Sequence, residues 1–363
     1  MLNSIFSSTL RLAFLTSCFL LILCSVVVSQ IDEIAITTNS ERARELFIEG
    51  RNWSENIQAV KAAELFDNAL KIDPDFALAH IYRATAGVGG FNVTRKHMDR
   101  ALSLINNVTQ GEKDLILFDA ALIEGNQLNQ KVYLDNLLTS FPNDKRVQYW
   151  AGIYFYTIND FQTAKTHFMK VIQMDEKYAP VYNMLGYTEL QLDQNMEAEK
   201  SFETYISLIP ESPNPYDSYG EFLLREGRYD ESINQYKMAL EKDSHFTSAF
   251  NGIGHNYIFK GNFIEARKNY QKCFDEASNI NAKLGALYWM ATSFVHEGKI
   301  DDALKVIDKQ KTIAKENDLT TNVINAYNTE GLILTEAGML QKGMMKFETA
   351  AKLIKAANLP DDT

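Results

Sequence analysis

From residue 43 onward, the small and apolar residues of this chain return every 34 positions. Within residues 62–74, AAELFDNALKIDP, the set Ala62, Phe66, Ala69 and Pro74 is spaced four, three and five apart. Whole multiples of 34 later the same chemistry returns as Ala164 with Phe168, Ala198 with Phe202 and Pro210, Tyr236 with Ala239, and Ala266 with Tyr270. A small residue stands eighth in six units, at Gly50, Ala84, Gly152, Gly186, Gly220 and Gly254, and Pro74, Pro142 and Pro210 are each two periods apart. Such a period means one supersecondary unit copied many times. A unit of this size cannot bury its apolar face alone, so neighbours must stack into one continuous core.

The agreement of several columns at once closely resembles the tetratricopeptide repeat family. That resemblance implies an all-α fold, a right-handed superhelical solenoid of helix-turn-helix hairpins. On this reading the small residue at position 8 faces another at position 20, and the aromatic at position 24 fills the space between hairpins. Proline at position 32 ends the second helix because it has no N–H to continue it. Gly125, Gly227, Gly261, Gly298 and Gly338 fall at position 15, the tight turn, where a positive φ is often needed. Units start at 43, 77, 111, 145, 179, 213 and 247, then near 284 and 324, the last two gaps being filled by longer helices. The register gives nine units and about eighteen helices over residues 43–358, with a lead-in at 30–42 and a tail at 359–363. Thr38-x-x-Glu41 reads as a capping box for the first helix. Unit 2 departs from the pattern at Lys96, Arg100 and the Gly87–Gly90 turn, and unit 3 at Phe118 and Gln130. Helical spacing survives in both, so both are expected to be hairpins.

The first thirty residues are of another kind. They carry one charge, Arg11, followed by an uncharged apolar run from Leu12 to Ile31 with a small-residue exit. This resembles a secretory signal peptide over residues 1–29, with Val27 and Ser29 before a cleavage at Gln30. Export to the periplasm or outside the cell is the expectation. An uncleaved anchor through residues 12–31 is one alternative. A lipobox at Leu15–Cys18 is another, against which stands the apolar run continuing past Cys18. The Pro213–Gly220 stretch and the Val-Ser-Gln exit resemble exported bacterial members of the repeat family. Cleavage would leave Cys273 as the one cysteine, which excludes an intrachain disulfide and cysteine-rich zinc chemistry.

Composition narrows function. With 46% hydrophobic and 23% charged residues the chain is neither largely disordered nor a multi-span membrane protein. Its 47 acidic against 36 basic residues, a net charge of −11, argue against nucleic acid as a partner. The histidines show no HExxH and no i, i+4 pair, so no metal site is expected, and Gly252-Ile253-Gly254 lacks the third glycine of a dinucleotide loop. No catalytic constellation or cofactor motif stands out, and Phe66, Phe168, Phe202, Tyr236, Tyr270, Phe347 and Cys273 are expected in the core. The family resemblance assigns positions 2, 5, 9 and 12 of each first helix to the concave face. Projected here, it names Asn183, Tyr187, Asp217, Glu221, Asn251, His255, Tyr288 and Asn328 as the partner-binding groove. Exposed asparagines at position 5 can donate to and accept from an extended peptide backbone. Asp217 and Glu221 favour a basic or neutral partner over an acidic terminus. The expected function is a non-enzymatic scaffold for another protein or peptide, touching membrane only through an uncleaved N-terminal segment. A membrane-tethered sensor or assembly factor is the alternative, and a helical-repeat hydrolase the more distant one.

Overall fold

The computed structural model describes residues 33–357. The segment 1–29 read as a signal peptide, the start of the lead-in, residue 358 and the tail 359–363 lie outside them. Among the described residues every regular element is helical. The chain forms two units, one up to Val181 and one from Tyr182. The first holds α1 (Glu41–Glu55), α2 (Ala59–Ile72), α3 (Ala77–Thr85), α4 (Phe91–Ser103), α5 (Gln110–Ile123), α6 (Gln127–Ser140), α7 (Lys145–Thr157) and α8 (Phe161–Met174). The second is built on α9 (Ala179–Gln191), α10 (Asn195–Leu208), α11 (Pro213–Arg225), α12 (Tyr229–Lys242) and α13 (Thr247–Phe259). It continues with α14 (Phe263–Glu276), α15 (Ile280–His296), α16 (Ile300–Glu316), α17 (Thr320–Glu336) and α18 (Leu340–Ala356). No described helix is long and apolar enough to cross a membrane.

Each turn between the helices of a hairpin needs one left-handed residue, which explains the glycines. Gly227 has φ 75° and Gly298 φ 77°. Where glycine is missing the backbone still makes the same turn, with φ 63° at Asn159, 56° at Asp193 and 61° at Ile57. Asparagine and aspartate tolerate this region, whereas a β-branched side chain there is strained by roughly 1–2 kcal/mol. Ile57 is more than half exposed, so little packing repays the strain. Ile57→Asn is therefore expected to raise stability by about 1 kcal/mol, read as a higher midpoint in urea. An unchanged or lower midpoint would count against the strain.

Packing follows the repeat, with one contact added. The nearest atoms to a Cβ built on Gly152 belong to the ring of Phe168, at 2.3 Å, and on Gly254 to Tyr270, at 2.4 Å. The small residue at position 8 thus seats the position-24 ring of its own hairpin as well as facing position 20, where Ser232 Oγ donates to the Gly220 carbonyl at 2.6 Å and a Cβ on Gly343 would meet the Gly331 carbonyl at 2.8 Å. Gly252 lies against the ring of the preceding unit, Tyr236, at 2.2 Å, so Gly252 and Gly254 serve two successive rings. The rings of Phe66, Phe168, Phe202, Tyr236 and Tyr270 are buried, and so is the Cys273 thiol. Burial pushes that thiol up to about 11, with Asn251 working the other way, so it is inert at neutral pH. Phe347 stays half-buried, because no described helix stacks on α18 from beyond.

The irregular units show how the pattern bends. Helix α3 has 9 residues against 13 in α7, because Gly87, Gly89 and Gly90 all take positive φ and end it early. Helix α4 then buries Met98 and Ala101 instead of positions 96 and 100, leaving Lys96 and Arg100 exposed. Helices α15 to α18 each have 17 residues, and α15 and α17 open four residues ahead of 284 and 324.

The capping box expected at Thr38 is not formed. Ser40 caps α1, accepting from the N–H of Ala43 at 3.3 Å, while the Thr38 hydroxyl donates to Asp73 at 2.5 Å. The reason lies in the lead-in, which crosses three hairpins and uses buried carboxylates as acceptors. Asp144 accepts from the N–H of Ile34 at 3.0 Å, Glu112 from Thr37 at 2.6 Å, and Asp73 from Asn39 at 3.1 Å. The true capping box belongs to α5, where Thr109 and Glu112 satisfy each other.

Candidate binding groove

All eight projected groove residues lie in the second unit, and the structure distributes them over four different settings. Asn183 on α9 is only 5% exposed, and its Oδ1 is buried without a partner. Asn251 on α13 is half-buried, with a buried, unpartnered Oδ1 and its side chain against the Cys273 thiol. Neither is the exposed amide that peptide capture needs. The column expectation fails at these two positions because the side chains turn toward the interior of the repeat.

Tyr187, Asp217 and Glu221 form an acidic patch. The Tyr187 hydroxyl donates to Glu221 Oε2 at 2.8 Å, and its pKa is raised by burial and then by that carboxylate. Asp217 lies one turn before Glu221 on α11. Burial, reinforced by Glu221, pushes it up to about 7, and no described cation pairs with either carboxylate. A carboxyl whose folded pKa is raised binds its proton more tightly folded than unfolded. Stability is then fullest below about pH 4 and falls as pH rises to about 7. Asp217→Asn is expected to add about 1–3 kcal/mol at pH 8 and flatten that slope. Unfolding curves from pH 5 to 8 that keep the wild-type slope in the variant would refute the assignment.

His255 belongs to a neighbouring apolar cleft of about 280 Å³ lined by Leu224, Ile258, Phe259, Trp289 and Thr292. Its Nδ1 lies 2.9 Å from the Tyr270 hydroxyl, and the Trp289 ring meets its own edge to face at 4.4 Å. Burial lowers its pKa to about 4, so it is a neutral hydrogen-bonding ring at pH 7. Leu224 carries the cleft onto α11, on the face that also presents Asp217 and Glu221. Trp289 and Phe259, both well exposed, were not legible as groove residues. The aromatic pair Tyr288-Trp289 was the available signal.

Tyr288 and Asn328 line a separate cavity of about 430 Å³ between α15 and α17. Helices lengthened by one turn supply part of its wall.

The first unit uses its polar residues on itself. Arg146 on α7 and Glu55 at the end of α1 pair at 2.7 Å, side chains 12% and 14% exposed, across 91 residues of sequence. Burial opposes the Arg146 charge, and Glu55 more than offsets it, so its pKa is raised. His80 and His97 meet at 3.0 Å through their Nδ1 atoms, a contact invisible in their spacing. Burial lowers both. Among the described residues no three metal-ligating side chains come together.

Comparison with known proteins agrees with the packing. The sequence model of the tetratricopeptide repeat family matches residues 179–212 and 247–279. Superkiller complex protein 3 of Homo sapiens is 23% identical over 295 residues, 78% of this chain and 17% of that protein. Mitochondrial import receptor subunit TOM70 of Homo sapiens is 26% identical over 205 residues, 52% of this chain and 31% of that protein. The chain thus spans less than a third of the length of either curated relative. The crystal structure of yeast Tom70 superposes with a TM-score of 0.54 at 17% identity, covering 91% of this chain and 70% of that one, which establishes a shared fold. Hairpins of this length, turned on a left-handed residue and locked by a ring seated on a glycine, are those of tetratricopeptide repeats, which the family's sequence model recognises at residues 179–212 and 247–279.

Proposed function

We propose that the chain is a non-enzymatic binding scaffold, exported from the cytoplasm, that captures a basic segment of another protein on the inner face of α11 and α13. The observation that carries this reading is the pairing of Asp217 and Glu221 without a cation, beside an apolar cleft with two exposed aromatic side chains. A carboxylate raised by burial and by a second carboxylate one turn away favours a ligand that brings positive charge. Apolar side chains of the same segment would fill the cleft of Leu224, Ile258 and Trp289. The tetratricopeptide fold supports a binding role, while the partner itself is set by these side chains and not by the fold. Export rests on the signal-like residues 1–29, and the tethered alternative on residues 12–31. The mass of the mature chain from its host separates them, since cleavage leaves Gln30 at the N-terminus.

The test is a titration with a labelled peptide alternating lysine and leucine, run at pH 6 and pH 8. Binding should tighten at the higher pH, because Asp217 must give up its proton to meet the cation. Asp217→Asn should weaken binding and abolish the pH effect. An acidic peptide bound equally well would sink the proposal.

A further inference from the structure

The cavity between α15 and α17 is unlike the rest of the groove. Its polar wall consists of the carboxamides of Asn281, Asn322, Asn325, Asn328 and Gln310 with the hydroxyls of Tyr288 and Thr329, and no charged side chain lines it. None of the four asparagine side chains is engaged by another described residue. Gln310 donates through Nε2 to the Leu284 carbonyl at 2.9 Å, but its Oε1 is buried and meets no donor. Asn281 and Asn322 stand in the turn by which α15 and α17 exceed the 13 residues of α9, α11 and α13. The added turn therefore extends an amide wall beyond what the regular repeat provides.

From this we infer that the cavity is a binding site for a neutral saccharide. A carboxamide offers one acceptor and two donors side by side, matching two neighbouring hydroxyls of a sugar ring, each of which both donates and accepts. A hydroxyl can also supply the proton that Gln310 Oε1 lacks. The absence of charge selects an uncharged ligand, because burying a charge beside amides alone leaves it unpaired. Tyr288, 39% exposed and braced by the Trp289 ring at 5.0 Å, presents an aromatic face to the C–H side of a pyranose. Extended peptide fits less well. Its like-facing groups recur about every 6.6 Å, whereas asparagines three apart on α17 step by about 4.5 Å. The volume, about 430 Å³, falls in the range of small-molecule sites.

The experiment is a calorimetric and NMR titration of the full chain with maltotriose, cellotriose, mannotriose and the trimer of N-acetylglucosamine. At least one should bind saturably, with affinity unchanged between about 50 and 500 mM salt since no charge is involved. Asn325→Ala and Asn328→Ala should each weaken it about three- to ten-fold with unaltered melting. Gly285, which lines the cavity and whose Cβ would meet nothing within 4 Å, permits a second variant: Gly285→Phe should fill the space and abolish binding without disturbing the core. Asp217→Asn should leave sugar binding intact, so this site and the basic-peptide reading fail separately. The inference is overturned if no trisaccharide saturates by about 10 mM, or if binding ignores all three cavity variants. It is equally overturned if a neutral glycine-serine peptide occupies the same residues more tightly than every sugar.

Discussion

Gly152→Ala should destabilise the first unit by about 3 kcal/mol, far more than one methyl group would in an ordinary helix. The new Cβ would stand 2.3 Å from the Phe168 ring, with two further ring atoms within 2.7 Å. Phe168 is fully buried, so the ring cannot step aside into solvent. The hairpin must open or the ring must leave its rotamer, and either change disturbs the Tyr149 ring packed against it at 5.9 Å. In isolation an alanine would favour the helix by up to about 1 kcal/mol, so the sign of the measured change separates packing from propensity. Gly285→Ala is the matched control, since nothing lies within 4 Å of its Cβ, and it should be neutral or slightly stabilising. Gly152→Ala with Phe168→Leu should recover part of the loss, because the smaller side chain vacates the contact. Equal melting of the wild type and the single variant would mean that the ring does not rest on this glycine.

That contact shows how much of the fold the sequence carries. Period, turn glycines and ring column are all short-range features of one hairpin, and each copy repeats them, so self-similarity alone exposes them. What it cannot expose is which neighbour a side chain meets. Position 8 does meet position 20, as small residues in both columns imply, but that Gly252 would also rest on the ring of the preceding unit, Tyr236, carries no mark in the columns. The groove suffered more. Position 5 carries asparagine in three units, yet Asn183 and Asn251 turn inward while Asn328 faces a cavity. One residue type in one column thus has different surroundings, set by side chains that the period does not fix, such as Cys273. Asn281 and Asn322 were missed for the opposite reason, since they stand where the period breaks and no column assigns them a face. The break itself was visible as the added residues before 284 and 324, and spacing of three at 322, 325 and 328 marks one side of α17.

The Glu55–Arg146 pair was out of reach altogether, because two ordinary charges 91 residues apart carry no periodic mark. Their side chains are nearly withdrawn from water, and a second, cross-hairpin demand falls on them. They tie the end of α1 to the start of α7, so removing one partner strands a buried charge. Glu55→Ala is accordingly expected to cost about 3–5 kcal/mol, against about 0.2–1 kcal/mol for an exposed pair. Exposed Arg42 with Glu45 provides that comparison within the same helix. Hydrogen exchange should locate the effect: amides of both α1 and α7 should exchange faster, while those of α15 to α18 stay as they were. The doubly substituted chain, Glu55→Leu with Arg146→Met, should regain most of the loss, because no charge is then left unpaired. If Glu55→Ala loosens α1 alone, the pair does not couple the two helices. If the double variant is as unstable as the single one, shape rather than charge holds this corner together.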